Sequence, residues 1–80
     1  MARFMRKPTE VDAEWFTDDR NPPRGVLRTT TFDPPYFYVV TAQDRHVRVE
    51  VGEWIVREPS ASGCFYPVRD EEFRQLYEPI

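Results

Sequence analysis

Tyr36-Phe37-Tyr38-Val39-Val40-Thr41-Ala42-Gln43-Asp44-Arg45-His46-Val47-Arg48-Val49-Glu50-Val51 is the stretch that decides how this chain folds. Residues 36–41 are almost wholly apolar and rich in aromatic and β-branched side chains, which predicts a central strand covered on both faces. Residues 46–51 alternate instead. Val47, Val49 and Val51 fall on an inward side and His46, Arg48 and Glu50 on an outward one, the period of a half-buried strand. Ala42–Arg45 between them is short and polar, and reads as a hairpin turn. An antiparallel hairpin at mid-chain therefore sets the expectation of a mainly β fold.

The same pattern extends outward in both directions. Glu10–Trp15 alternates Val11, Ala13 and Trp15 against Glu10, Asp12 and Glu14, a further half-buried strand. Thr17–Gly25 is charged and holds the tandem Pro22-Pro23, which cannot lie inside a sheet or helix, so it reads as a loop. Val26–Thr31 suits a short strand, ended by Asp33-Pro34-Pro35. On the C-terminal side Gly52-Glu53 makes a tight turn, Trp54–Arg57 a strand, and Glu58–Gly63 a polar connection to Cys64–Val68. A helix begins at Arg69 or Asp70. Asp70 is a candidate cap, Glu71 and Glu72 favour the positive end of the dipole, and Phe73, Leu76 and Tyr77 form one stripe before Pro79 stops the helix. Two turns are too few to persist alone in water, so the stripe is expected to dock on the sheet. The expected architecture is mainly β (α+β): a small antiparallel sheet curled towards a barrel, about five strands with a short C-terminal helix, in a single domain over 1–80.

Composition bounds function. With 40% hydrophobic and 31% charged residues among 80, the chain has the profile of a small globular domain rather than a disordered one. Its 12 aromatic residues are read two ways, as the core that so short a chain needs and as the material of an interaction surface. Eleven basic residues against 14 acidic ones leave a net charge of −3, the wrong sign for general nucleic-acid binding. Arg3, Arg6 and Lys7 are expected to be solvated on a mobile terminus. Ten of the 11 basic residues are arginine, which hints at a GC-rich genome. A single Cys64 and a single His46 offer neither a disulfide nor a zinc set, and no apolar run is long enough to cross a bilayer or to serve as a signal peptide. The expected setting is a reducing cytoplasm, with no membrane partner. Three glycines make no phosphate-cradling loop, which argues against an NTPase or dinucleotide enzyme.

Two motifs carry a resemblance. Arg6-Lys7-Pro8, Val11-Asp12-Ala13 and Trp15-Phe16-Thr17 look like the opening "YRKKPVVIEAxQFTG" of a family of small uncharacterised bacteriophage and prophage proteins. Val51-Gly52-Glu53-Trp54-Ile55-Val56-Arg57, Phe65-Tyr66-Pro67-Val68, Phe73 and Tyr77-Glu78-Pro79 resemble that family's "PGDWIIKG…GEFYPCKPDIFEKTYEP". The two ends cover about half the chain, in order and at matching internal spacing. Trp15 stands where the family usually has Gln, Val51 and Asp70 where it has Pro, and the Pro59–Gly63 loop is longer. Residues 18–40 are shorter than in most relatives and match none of the family pattern. The resemblance implies a phage origin and a small β fold. It implies no reaction, and motifs made of Gly, Pro and aromatics encode a turn and a core.

Catalytic groups are few. On its strand His46 shares a face with Arg48 and Glu50, where Glu50 or Asp44 could polarise the imidazole, but a polar outer hairpin face has the same pattern. Cys64 lacks a local motif and reads as a structural cysteine, while Asp18-Asp19 and Glu71-Glu72 are sequence neighbours that do not converge on one point. The expectation is no enzyme, no cofactor and no metal. A binding role is the expected one, with Arg24, Arg28, His46 and Arg48 as the candidate residues. The expected partner is a bacterial host protein, modulated or inhibited in host takeover or defence evasion. The alternative is a small nucleotide signal held between subunits of a homo-oligomer, with arginines on phosphate and Trp or Tyr on the base. A minor virion or assembly factor is a third class.

Overall fold

In the computed structural model, which describes residues 2–6 and 9–79 with side chains over 10–78, the chain forms eight strands and one helix. They are β1 (Ala2–Arg6), β2 (Thr9–Trp15), β3 (Leu27–Arg28), β4 (Phe37–Val40), β5 (His46–Val49), β6 (Glu53–Arg57), β7 (Phe65–Arg69), α1 (Asp70–Leu76) and β8 (Glu78–Pro79). All pairs are antiparallel, in a five-stranded sheet ordered β7-β6-β2-β1-β8 and a three-stranded sheet ordered β3-β4-β5. The mainly β fold with a short C-terminal helix is thus present. It is built as two layered sheets with open ends; β1 and the two-residue β8, which the pattern did not announce, join the five-stranded sheet, and the strand expected over Val26–Thr31 is reduced to Leu27–Arg28.

The alternation along β6 separates two cores. Val56 faces α1 and is buried with Val11 and Ala13 of β2 and with Phe73 and Tyr77, while Trp54, Tyr66 and Val68 pack against this group. Ile55, one residue away, points to the opposite face. There it is buried with Phe16 and Phe65 against Val39 and Val49 of the second sheet, with Val26, Phe37 and Val47 packed beside them. The order of layers is helix, five-stranded sheet, three-stranded sheet. Each fully buried apolar side chain contributes roughly 1.5–3 kcal/mol relative to exposure, so a chain of this size draws on both interfaces.

Local chemistry places the joints. The Phe16 N–H donates to Glu53 O at 2.9 Å and the Gly52 N–H to Phe16 O at 2.7 Å, carrying the β2–β6 ladder beyond the Trp15↔Trp54 pair. Gly52 has φ +104°, a conformation that glycine adopts without a Cβ penalty. Gly25, at φ +95°, lies directly against the Phe65 ring, where a Cβ would have no room. At the mid-chain hairpin the Asp44 N–H donates to Thr41 O and the Thr41 N–H to Arg45 O, both at 2.9 Å, with Asp44 left-handed at φ 60°. This is a type I turn followed by a left-handed residue, a common three-residue hairpin connection.

Several expectations are corrected. Arg3 and Arg6 lie within β1, which pairs with β2 and, through Phe4 and Met5, with β8, so the backbone here is a paired strand rather than a mobile terminus. Lys7 and Pro8 lie outside the described residues. Val51 is 52% exposed rather than inward, because β5 ends at Val49 and the turn into β6 breaks the alternation. Leu76 is 40% exposed, and Tyr77 is buried in its stead: the chain leaves the helix at Tyr77, with φ −129° and ψ 152°, and swings that ring onto Phe73. Asp70 makes no cap, since it is the first helical residue and its carboxylate is occupied by side chains. β4 is central in its sheet, but only its Phe37 and Val39 side meets the core. No helix of the described residues is long and apolar enough to cross a membrane.

Candidate functional site

The other face of β4 carries the candidate site. The alternation that turns Phe37 and Val39 inward leaves Tyr36 and Tyr38 on the outer side, and β5 likewise places His46 and Arg48 outward from Val47 and Val49. Arg48 is the cross-strand partner of Tyr38. The His46 ring stacks on Tyr38 with centroids 4.9 Å apart and planes 25° apart, and the Arg48 guanidinium stands 5.2 Å from the Tyr36 ring centroid. Tyr36 and Tyr38 meet edge to face at 6.5 Å. Aromatic and cationic groups thus form a continuous row across two strands.

The β3–β4 connection closes over one end of this row. At its base the Thr29 N–H donates to Tyr36 O at 2.9 Å and the Tyr36 N–H to Thr29 Oγ1 at 3.0 Å, which cinches the intervening loop. That loop contains a cis Asp33–Pro34 peptide and carries Phe32, 58% exposed, to a tilted contact 5.4 Å from Tyr36. Between loop and sheet lies a hollow of about 220 Å³ lined by Arg28, Thr29–Thr31, Phe32, Tyr36, Tyr38 and His46.

The charge of this hollow distinguishes it. No Asp or Glu lines it, whereas a hollow of about 230 Å³ beside β2 has Glu10, Asp12 and Glu58 against Arg57, and one of about 440 Å³ sets Arg48 and Arg69 against Glu50 and Glu53. Arg48 Nε also lies 3.9 Å from Glu50 Oε1, but both side chains are about two-thirds exposed or more, and such a pair contributes little. Among the described residues no cluster of His, Cys, Asp and Glu could hold a metal ion.

Of the four residues singled out in the sequence, Arg28 and His46 line the hollow and Arg48 stands at its edge on Tyr36. Arg24 is exposed in the turn before Gly25, outside the lining. His46 has the Tyr38 ring as its partner rather than Asp44 or Glu50. The half-buried Cys64 sits in a turn, its N–H donating to Ala61 O and its carbonyl accepting from Glu58. Sequence reasoning missed Phe32, Tyr36, Tyr38 and the three threonines. The signal for the tyrosines was their alternation with Phe37 and Val39, since a tyrosine has a polar tip that an aliphatic residue lacks.

A second aromatic array, on the helix side, has a different character. Trp15, Trp54, Phe73 and Tyr77 stack in succession with centroid separations of 5.7, 4.2 and 4.7 Å, and Arg74 covers Trp15 at 5.5 Å. Its polar atoms are engaged internally: Trp15 Nε1–H donates to Gly52 O, and Trp54 Nε1–H and Arg74 Nε–H both donate to Asp70 Oδ1 at 2.8 Å. The Trp54 hydrogen bond, aided by Arg74, holds the Asp70 carboxyl below its ordinary value of 3.8. This array locks the helix to the sheet, while on the β4–β5 face His46 and Arg48 are exposed and Tyr36 and Tyr38 are half-buried. No family model matches the chain, and no curated protein or solved structure matches it either.

Proposed function

We propose that this protein is a non-enzymatic binding module that captures an anionic component through the outer face of β4 and β5. The observation that supports this most strongly is the hollow lined by Arg28, Tyr36, Tyr38 and His46, with Arg48 stacked on Tyr36 and no carboxylate in the lining. Arginine and tyrosine are the residues that most often anchor recognition. They present rigid area and fixed donors at low conformational cost, and a carboxylate-free lining leaves those donors to the partner. In the phage setting that the sequence resemblance implies, the captured component belongs to the bacterial host, and its sequestration or masking is the activity.

Native mass spectrometry of protein purified gently from bacterial lysate tests this, comparing the parent chain with the Arg28→Glu/Arg48→Glu variant. The expected result is an anionic species retained by the parent and absent from the folded variant. Equal retention by both would place recognition elsewhere on the molecule and refute the reading.

A further inference from the structure

We infer that the hollow between the Thr29–Tyr36 loop and the outer face of β4 binds a single nucleoside monophosphate unit, with its phosphate on Arg28 and the threonines and its base on the tyrosine–histidine row. The inference rests on the binding role proposed above and names its ligand class. Four observations converge on it. The lining includes Arg28 and Thr29–Thr31, consecutive in the chain, and a guanidinium with hydroxyl groups supplies the directed donors that phosphate oxygens accept. It also includes Phe32, Tyr36, Tyr38 and His46, and aromatic faces hold a base by stacking whatever its sequence identity. The absence of carboxylates from the lining removes the repulsion that a phosphate would meet in the other two hollows.

Size supplies the fourth constraint. About 220 Å³ is below the roughly 300–1,000 Å³ of sites that enclose drug-sized ligands, so the hollow itself suits one base with its sugar phosphate, held partly open to solvent. A longer polynucleotide is disfavoured further by the net charge of −3. Arg48, 5.2 Å from the Tyr36 ring centroid at the margin, does not fill the space.

The test titrates the full chain with AMP, GMP, CMP and UMP, and in parallel with adenosine, inorganic phosphate and a short peptide of Glu and Tyr. Side-chain NMR signals of Phe32, Tyr36, Tyr38 and His46 report binding, and the Trp15 and Trp54 indole signals report the fold. The expected result is saturable shifts at the hollow with at least one monophosphate, about tenfold tighter than with adenosine or inorganic phosphate, since both halves of the ligand are engaged. Arg28→Ala and Tyr38→Ala are each expected to weaken that binding about tenfold with unchanged indole signals. If phosphate alone binds as tightly as every nucleotide, the base site is absent and the inference fails. If the peptide shifts these signals and no nucleotide does, the inference fails while the binding role stands. If none of the probes shifts them, the inference fails, and the binding role is decided by the retention experiment above.

Discussion

Replacing Trp54 by alanine removes the middle of the stack that joins helix to sheet. The indole lies between Trp15 and Phe73 with planes 7° from parallel on both sides, and it donates to Asp70. A tryptophan buries on the order of 150–250 Å². Trp54 is half-buried, so the lower end applies, and at roughly 25 cal/mol per Å² it corresponds to about 4 kcal/mol of transfer free energy. Alanine regains a little of this, whereas the lost stacks and the space left beside buried Phe73 add to the deficit. The expected destabilisation is about 3–5 kcal/mol. An 80-residue domain has about 4–12 kcal/mol in total at the usual per-residue stability, so the variant stands near the edge of folding. Urea unfolding followed by far-ultraviolet circular dichroism measures it, with an excluded osmolyte added to both proteins if the variant lacks a folded baseline. Trp54→Phe keeps a ring in the stack and is expected to fall between the two. A Trp54→Ala variant within about 0.5 kcal/mol of the parent, the range of ordinary surface changes, would refute the structural role assigned to the stack.

Three further outcomes follow from the geometry. Gly25→Ala drives a Cβ into the Phe65 ring at a positive φ and is expected to cost about 2–4 kcal/mol in urea unfolding; Gly63→Ala shares the positive φ but meets open space, so equal losses would contradict the contact. Val49→Thr buries an unpartnered hydroxyl and is expected to lose about 1–3 kcal/mol, while Val51→Thr, two residues on in the same alternation, should change thermal unfolding hardly at all; the reverse order would show that the register is wrong. The folded-state pKa of Asp70 lies below its unfolded value, so its contribution to stability is present above about pH 4 and is lost as pH falls through 3.8 towards the folded value. The stability advantage of the parent over Asp70→Asn should therefore shrink on acidification through that window, and a difference that stays flat from pH 6 to below the folded value would rule the linkage out.

Much of the fold was legible because it depends on local alternation. Val11 and Ala13, Val47 and Val49, and Phe73 in its helix each announced a face by spacing alone, and each is in a core or packed against one. The failures lie where a long-range neighbour decides. Val51 continued the pattern of β5, yet the ladder between Phe16 and Gly52 takes the chain away from it. Asp70 had the composition of a cap, but Trp54, 16 residues earlier, and Arg74 claim its carboxylate. The site was legible in its cations and illegible in its rings. Arg28 and Arg48 stood out by charge and His46 as the single histidine, whereas Tyr36 and Tyr38 were absorbed into an apolar run, and no local signal shows that the Thr29–Tyr36 loop folds back over them.

The 12 aromatic residues can be read as core or as recognition surface, and their placement separates those buried in the two cores from those gathered on the outer face of β4. Phe16, Phe65, Phe73 and Tyr77 are buried, and Trp54 is built into their packing. Phe32, Tyr36 and Tyr38 gather on one outer face with Arg28, His46 and Arg48, away from either core. Of these rings only Phe32 is largely exposed, and a ring left in water yields little of the transfer free energy that burial supplies, whereas Tyr36 and Tyr38 are half-buried. The two roles alternate within a single strand. Along β4, Phe37 and Val39 hold the three-stranded sheet against the five-stranded one, and Tyr38 between them faces the hollow. Substitutions at Phe37 or Val39 should therefore lower the unfolding midpoint most, and substitutions at Tyr38 should lower ligand affinity at a smaller stability loss of about 0.2–1 kcal/mol, the scale of a cross-strand aromatic pair. A Tyr38 substitution that costs as much stability as one at Val39 and leaves affinity unchanged would refute the assignment of the outer face to binding.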